Sequence, residues 1–244
     1  MTSTAEAVWL FDLDGTLIDV NSFPMWVAEI LIGRLPHLGL AARMSVSVRC
    51  AAALAVRKLL RQSHVDFKRK LQRLWTDVTA ADAALHAPDA LVERLLAHVR
   101  PSLKVLLDDV GQGRVDALLT TAAAAEYAVS LARQLGFRHA ITTPPGGRKD
   151  APDNVGETKR DRTLAYLAAQ GWAARPRVFF TDHRDDLPLM RECEALVWFG
   201  TDDDYGIICR ELRGVETLAA RELAGNATYE WVVERTRHRS LACT

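Results

Sequence analysis

Hydrophobic and polar positions change rhythm twice along this chain. Residues 7–10, Ala-Val-Trp-Leu, form a short unbroken apolar run, the pattern of a strand buried on both faces. From about residue 22 to residue 111 the period becomes three to four and strand-like runs of β-branched residues disappear. Phe23, Trp26, Val27, Ile30 and Leu31 predict a helix that starts near Ser22. Leu40, Met44, Val48, Ala51, Ala52, Ala55 and Leu59 repeat in the same way and predict a second helix. Ser63 can cap a third, with Val65, Leu71, Leu74 and Trp75 on its inner side and Asp77 near its end. Pro88-Asp89 opens a fourth with Leu91, Leu95, Leu96 and Val99. Pro101 starts a fifth, with Leu103, Leu106 and Leu107, that stops at Gly111.

From residue 115 strands and helices alternate. Short segments at 115–119, 138–142, 177–181 and 195–199 predict strands, and helices are predicted over 124–135, 158–171 and 185–191. That alternation implies α/β architecture: a Rossmann-like, doubly wound parallel sheet with an inserted all-helical unit. The expected division is a core of residues 1–20 and 112–244 and a helical cap of residues 21–111. An insertion that leaves the sheet at a strand's carboxyl end sits over the ligand crevice. The tail after about Gly214 is charged and helical in pattern.

Chemistry gathers at the predicted strand ends. At residues 11–17 the chain reads FDLDGTL, so Asp12 and Asp14 point to the same side if the strand geometry persists, and Gly15 lets the chain turn away. Two adjacent carboxylates repel, which a bound cation would relieve. A D-x-D-G turn also occurs in calcium loops, so this heptapeptide does not decide the matter by itself. Thr120, or its neighbour Thr121, follows the second strand, where a hydroxyl and turn amides can hold a phosphoryl oxygen or simply cap the next helix. Lys159 falls in a helix's first turn, where the dipole disfavours a cation unless an anion stands in front. Asp182 and Asp186, four apart across a turn, can reach one cation, and hard oxygen ligands in small number suit magnesium. Asp185 is close enough in sequence to exchange roles with Asp186.

In this order these points resemble the haloacid dehalogenase superfamily of aspartate-nucleophile phosphatases, in its phosphoserine-phosphatase-like subgroup with a helical cap after the first motif. FDLDGTL matches the first motif, Thr120 the hydroxyl of the second, Lys159 the lysine of the third, and Asp182 with Asp186 the acidic pair of the fourth. The resemblance implies Asp12 as nucleophile and Asp14 as proton donor, then as base toward water. It implies phosphate binding by Thr120, Thr121 and Lys159, and magnesium at Asp12, Asp14 through its carbonyl, Asp182 and Asp186. The implied activity is hydrolysis of a phosphate monoester through an aspartyl phosphate. A phospholipid-head-group phosphatase, a phosphotransferase or mutase, and a catalytically silent binding module are the alternatives. Thr181 and His183 flank Asp182, where the fourth motif usually has glycine before it and a small residue after. Serine phosphate is disfavoured as substrate, because Asp19-Val20-Asn21 lacks the glutamate expected there.

Composition narrows the partners. With 31 basic and 31 acidic residues among 244, no net field argues for nucleic acid. Yet residues 34–73 hold Arg34, Arg43, Arg49, Arg57, Lys58, Arg61, Lys68, Arg69, Lys70 and Arg73 against Asp66 alone. Such a bias suits a solvated basic face, attraction of a small phosphorylated substrate, or contact with anionic lipid. The apolar window 38–60 is interrupted by Arg43, Arg49, Arg57 and Lys58, so it reads as an amphipathic helix rather than a membrane span. Cys50, Cys193, Cys209 and Cys243 form no C-x-x-C pair and no secretory leader precedes the first strand, which together predict reduced thiols and a cytoplasmic protein.

Overall fold

The computed structural model describes residues 7–33, 38–78, 89–148, 150–220, 230–232 and 234. The first strand, β1 (Val8–Phe11), is buried along its whole length. Among the described residues, five helices follow before the chain returns to the sheet: α1 (Ser22–Ile32), α2 (Leu40–Leu60), α3 (His64–Val78), α4 (Asp89–Ala97) and α5 (Lys104–Gly111). Then come β2 (Asp116–Ala124), α6 (Ala125–Gln134), β3 (Ala140–Thr143), α7 (Gly156–Ala169), β4 (Arg177–Thr181), α8 (Leu187–Met190), β5 (Ala195–Trp198), α9 (Asp202–Glu211) and β6 (Glu216–Ala219). The strand order is β3-β2-β1-β4-β5-β6 and every pairing is parallel. The chain winds one way to β3 and the other way to β6, so the crevice opens at the carboxyl end of β1, the topological switch point.

Alternation along β1 divides the core. Trp9 and Phe11 join the apolar cluster on the sheet face that also receives Trp26, Phe67, Leu71 and Trp75 of the inserted helices. Val8 and Leu10 join the cluster under α7, α8 and α9 on the other face. Phe11 stacks on Phe180 with ring centroids 4.2 Å apart, and Trp26 meets Tyr127 at 5.4 Å. The inserted helices therefore share one continuous core with the sheet.

Local signals explain the helix ends. Asn21 caps α1 by accepting from Phe23 N at 3.0 Å, and Gly33 closes it in the left-handed region. Thr201 caps α9 in the same way, ahead of three aspartates in the first turn.

Three expectations need correction. The second strand does not stop at residue 119; β2 runs through Thr120 and Thr121 to Ala124, with its pairing to β3 shifting register between Thr120 and Ala124. The chain after Gly214 is not simply helical, because residues 216–219 pair with β5 as β6. A four-residue edge strand, Glu-Thr-Leu-Ala, carries too little periodicity to announce itself. Residues 221–229 and 235–244, with Cys243, lie outside the described residues, as do Arg34 and Pro88. Finally, α2 is a helix as its period predicts, but it faces the opposite way. Val46, Cys50 and Ala53 are its buried residues, and the Leu40–Leu59 repeat is exposed. Among the described residues no helix is long and apolar enough to cross a membrane.

Candidate active site

The parallel ladder holds the chain straight up to Asp12, whose N–H donates to Phe180 O at 2.9 Å. Three residues on, the chain must turn, and it does so at Gly15 with φ +69°. A Cβ at Gly15 would lie 1.9 Å from Asp182 Oδ2, so only glycine lets the end of β4 press its carboxylate against this loop. Thr16 Oγ1 donates to Asp182 Oδ1 at 3.3 Å. Arg100, just before α5, donates to Gly15 O at 2.7 Å and to Thr16 O at 2.9 Å, which ties the loop to the end of the insertion.

Asp14 faces the start of α1. Its Oδ1 accepts from Ser22 N at 2.8 Å, at the positive end of that helix, and Ser22 Oγ donates to Tyr127 OH at 2.9 Å. Burial pushes the Asp14 carboxyl up to about 6, opposed by the hydrogen bonds from Ser22. The carboxyl of Asp182 is likewise raised to about 6, first by burial and then by the charge of Asp12.

Lys159 lies one turn inside α7 and is fully buried. Its Nζ donates to Asp186 Oδ2 at 2.7 Å and stands 3.2 Å from Asp12 Oδ1. Thr181 Oγ1 donates to the same Asp186 oxygen at 2.6 Å. Burial works against the Lys159 ammonium, but Asp12 and Asp186 together outweigh it and hold its pKa above the ordinary lysine value. Burial also raises the Asp12 carboxyl, with Lys159 opposing. Apart from Lys159, no described residue supplies a donor to Asp12 Oδ1. The fold thus brings Asp12, Asp14, Lys159, Asp182 and Asp186 to one cleft of about 520 Å³.

Two of the sequence candidates do not face it. Because β2 continues past them, Thr120 and Thr121 are buried inside the strand and the cleft is lined by Ala122 and Ala123 instead. Thr120 Oγ1 is engaged with Thr163 Oγ1 at 2.9 Å and with Asn154 Nδ2 at 3.2 Å, and Thr121 Oγ1 accepts from Ala123 N at 3.1 Å. Asp186 stands on Lys159 and Thr181 rather than free for a cation beside Asp182. Asp185 is exposed beside His183, which separates the two acids by position.

The sequence reading missed that Ser22 holds Asp14 and that Tyr127 in turn accepts from the Ser22 hydroxyl, and it treated Lys68 only as one of a basic run. Lys68 Nζ reaches from α3 to Ala122 O at 2.9 Å, Thr143 Oγ1 at 3.1 Å and Asp153 Oδ2 at 2.9 Å. Nearby, Gln72 Nε2 donates to Glu126 Oε2 at 3.0 Å and to Pro144 O at 2.9 Å. The one available signal was the spacing of Lys68 and Gln72, which places both on the same side of α3.

Residues 9–191 match the family of haloacid dehalogenase-like hydrolases. No curated protein matches the chain. Among solved structures, a protein of unknown function from Bordetella pertussis Tohama I is 19% identical with a TM-score of 0.62, over 88% of this chain and 99% of that one. A probable phosphoserine phosphatase from Vibrio cholerae is 14% identical with a TM-score of 0.56, over 99% of this chain and 69% of that one. A hydrolase from Salmonella enterica serovar Typhi is 13% identical with a TM-score of 0.52, over 88% of this chain and 68% of that one. At these identities the likeness is one of fold.

Proposed function

Since the chain belongs to the haloacid dehalogenase-like hydrolases, we propose that it is a magnesium-dependent phosphatase that hydrolyses a phosphate monoester through an aspartyl phosphate on Asp12. The observation that carries this reading is a buried lysine shared by two carboxylates, Asp12 at 3.2 Å and Asp186 at 2.7 Å, with a third carboxyl, Asp14, poised on the start of α1. We take residues 21–111 as the cap over this cleft and residues 1–20 with 112–244 as the core.

The residues present fit a hard divalent cation. Asp12 Oδ1 lacks a donor other than Lys159, and the Asp182 carboxylate fills the space that Gly15 leaves open. Carboxylate oxygens in small number suit magnesium, which keeps several waters and takes one or two carboxylates. Asp12, Asp182 and the Asp14 carbonyl would hold it. Bound there, magnesium would neutralise the charge that otherwise keeps a carboxylate from approaching a phosphate.

Within this reading Asp12 attacks phosphorus and the bond from phosphorus to the ester oxygen breaks. Protonated Asp14 gives its proton to the departing alcohol. The resulting Asp14 carboxylate then takes a proton from the water that attacks the aspartyl phosphate, which frees Asp12 and phosphate. A pKa of about 6 leaves both forms of Asp14 populated near neutrality. Lys159, oriented by Asp186, holds a non-bridging oxygen. Thr120 and Thr121 have no part in it, since neither hydroxyl reaches the cleft. Val20 at the end of the first core segment, with Phe23 and Val65 of the cap, gives the leaving group an apolar wall.

Turnover of an aryl phosphate with magnesium is the test. Magnesium-dependent release of phosphate that disappears in Asp12→Asn is expected; equal turnover in that variant would overturn the assignment.

A further inference from the structure

The apolar repeat that predicts α2 points away from the protein. Leu40, Met44, Val48, Ala51, Ala55 and Leu59 follow one another at spacings of three and four, and all six are exposed. Leu40 is 74% and Leu59 79% exposed, and Met44 and Val48 are each above 60%. Among the described residues, the large exposed apolar side chains all belong to α1 or α2 except Val155 at the cleft. Isolated exposed apolar residues are ordinary, but a continuous stripe along a 21-residue helix, about 30 Å long, marks a contact surface.

Charge says what kind of surface it meets. The helix has no Asp or Glu, and it carries Arg43, Arg49, Arg57 and Lys58 with Arg61 at its cap. At its carboxyl end Leu54 and Ala55 line an open groove of about 680 Å³ with Arg57, Lys58 and Arg61. A second copy of α2 would bring cations to cations with no acid on the helix to meet them, since Asp77 of the neighbouring α3 is already paired with Arg49 of its own chain at 2.9 Å. An exposed apolar face bordered by cations instead matches an interface that is apolar below and anionic above.

We propose that α2 is a membrane-docking helix, which lays its Leu40–Leu59 face on an anionic phospholipid surface with Lys58 and Arg61 at the head groups. This surface is separate from the catalytic cleft, and the inference holds whatever ester the cleft accepts.

Sedimentation of the 244-residue chain with vesicles tests it. Vesicles of phosphatidylcholine and phosphatidylglycerol should bind the protein, phosphatidylcholine alone should not, and salt should release it. Met44→Glu with Val48→Glu should abolish binding. Lys58→Glu should weaken it at least about fivefold, the equivalent of about 1 kcal/mol per surface cation. These exposed changes should leave turnover of a soluble aryl phosphate unaltered, so a failure of docking and a failure of the phosphatase reading are told apart. Absence of binding to anionic vesicles overturns the proposal. So does a concentration-dependent dimer in light scattering that Met44→Glu with Val48→Glu dissociates, since the stripe would then be a self-association face.

Discussion

Nζ of Lys68 lies 2.9 Å from the carbonyl oxygen of Ala122, so a lysine of the inserted helices closes on the end of the core strand β2. The same ammonium pairs with Asp153 at 2.9 Å, almost wholly out of solvent. Breaking a buried ion pair from one side leaves the other charge uncompensated. Lys68→Met should therefore destabilise the protein by ~3–5 kcal/mol, and Lys68→Met with Asp153→Asn should recover part of that loss. Urea denaturation of the two variants measures it. A single variant as stable as the parent would show that the contact does not hold the insertion to the core.

Thr120 is packed against Thr163 and Asn154 rather than facing the cleft. Thr120→Val should cost about 1–3 kcal/mol of stability through the unpaired polar groups it leaves. Its effect on kcat should be small. If kcat instead collapsed while stability held, the hydroxyl would have to reach the phosphate.

The proton donor can be identified by leaving group. Asp14→Asn should lower kcat on an alkyl phosphate by on the order of 10²–10⁴, the usual range for a general acid. On a nitrophenyl ester, whose alcohol departs without help, the first step should suffer much less. Equal losses of kcat/KM, which reports only the steps through departure of the alcohol, would argue against proton donation by Asp14; kcat also carries the later hydrolysis, in which Asp14 is the base for both esters.

Stability of the metal-free protein should fall as pH rises. Asp14 and Asp182 have folded pKa values of about 6, above the ordinary carboxylate value of 3.8. The native state thus binds more protons than the unfolded chain between about pH 4 and pH 6. Their contribution is fully present below that window and is lost across it, by up to about 3 kcal/mol per group. Melting temperatures without metal should decline over the window and then level. Asp182→Asn should flatten the decline, and magnesium should raise the melting temperature most at pH 7, where both carboxylates are charged. A flat profile in the parent would contradict the burial argument.

Gly15→Ala should separate metal binding from folding. The new Cβ would stand 1.9 Å from Asp182 Oδ2, at a positive φ where alanine is strained. The backbone cost is about 1–3 kcal/mol. Magnesium affinity, measured by titration calorimetry, should fall by more than that strain alone explains, because the displaced group is itself a proposed ligand. Unchanged affinity would remove Asp182 from the metal site.

Short-range patterning determined much of this protein. The buried run before FDLDGTL, the three-to-four period of the insertion and the later alternation specify a parallel α/β sheet with inserted helices. They do so because side-chain period and strand burial are local consequences of backbone geometry. Asp12, Asp14, Lys159 and Asp182 were legible as candidates because each follows a strand or opens a helix, and those ends converge in any open α/β sheet. Only tertiary structure decided the rest. Where β2 stops depends on its pairing with β3 and on the helix that follows, not on the apolar run, so Thr120 and Thr121 fell inside the strand. Which acid meets Lys159 depends on the turn after β4, and the choice fell on Asp186. Lys68 acquired its place only when α3 packed on the core. The amphipathic period of α2 shows that the helix has an apolar side, but not what that side faces. Its other side, Val46, Cys50 and Ala53, packs inward.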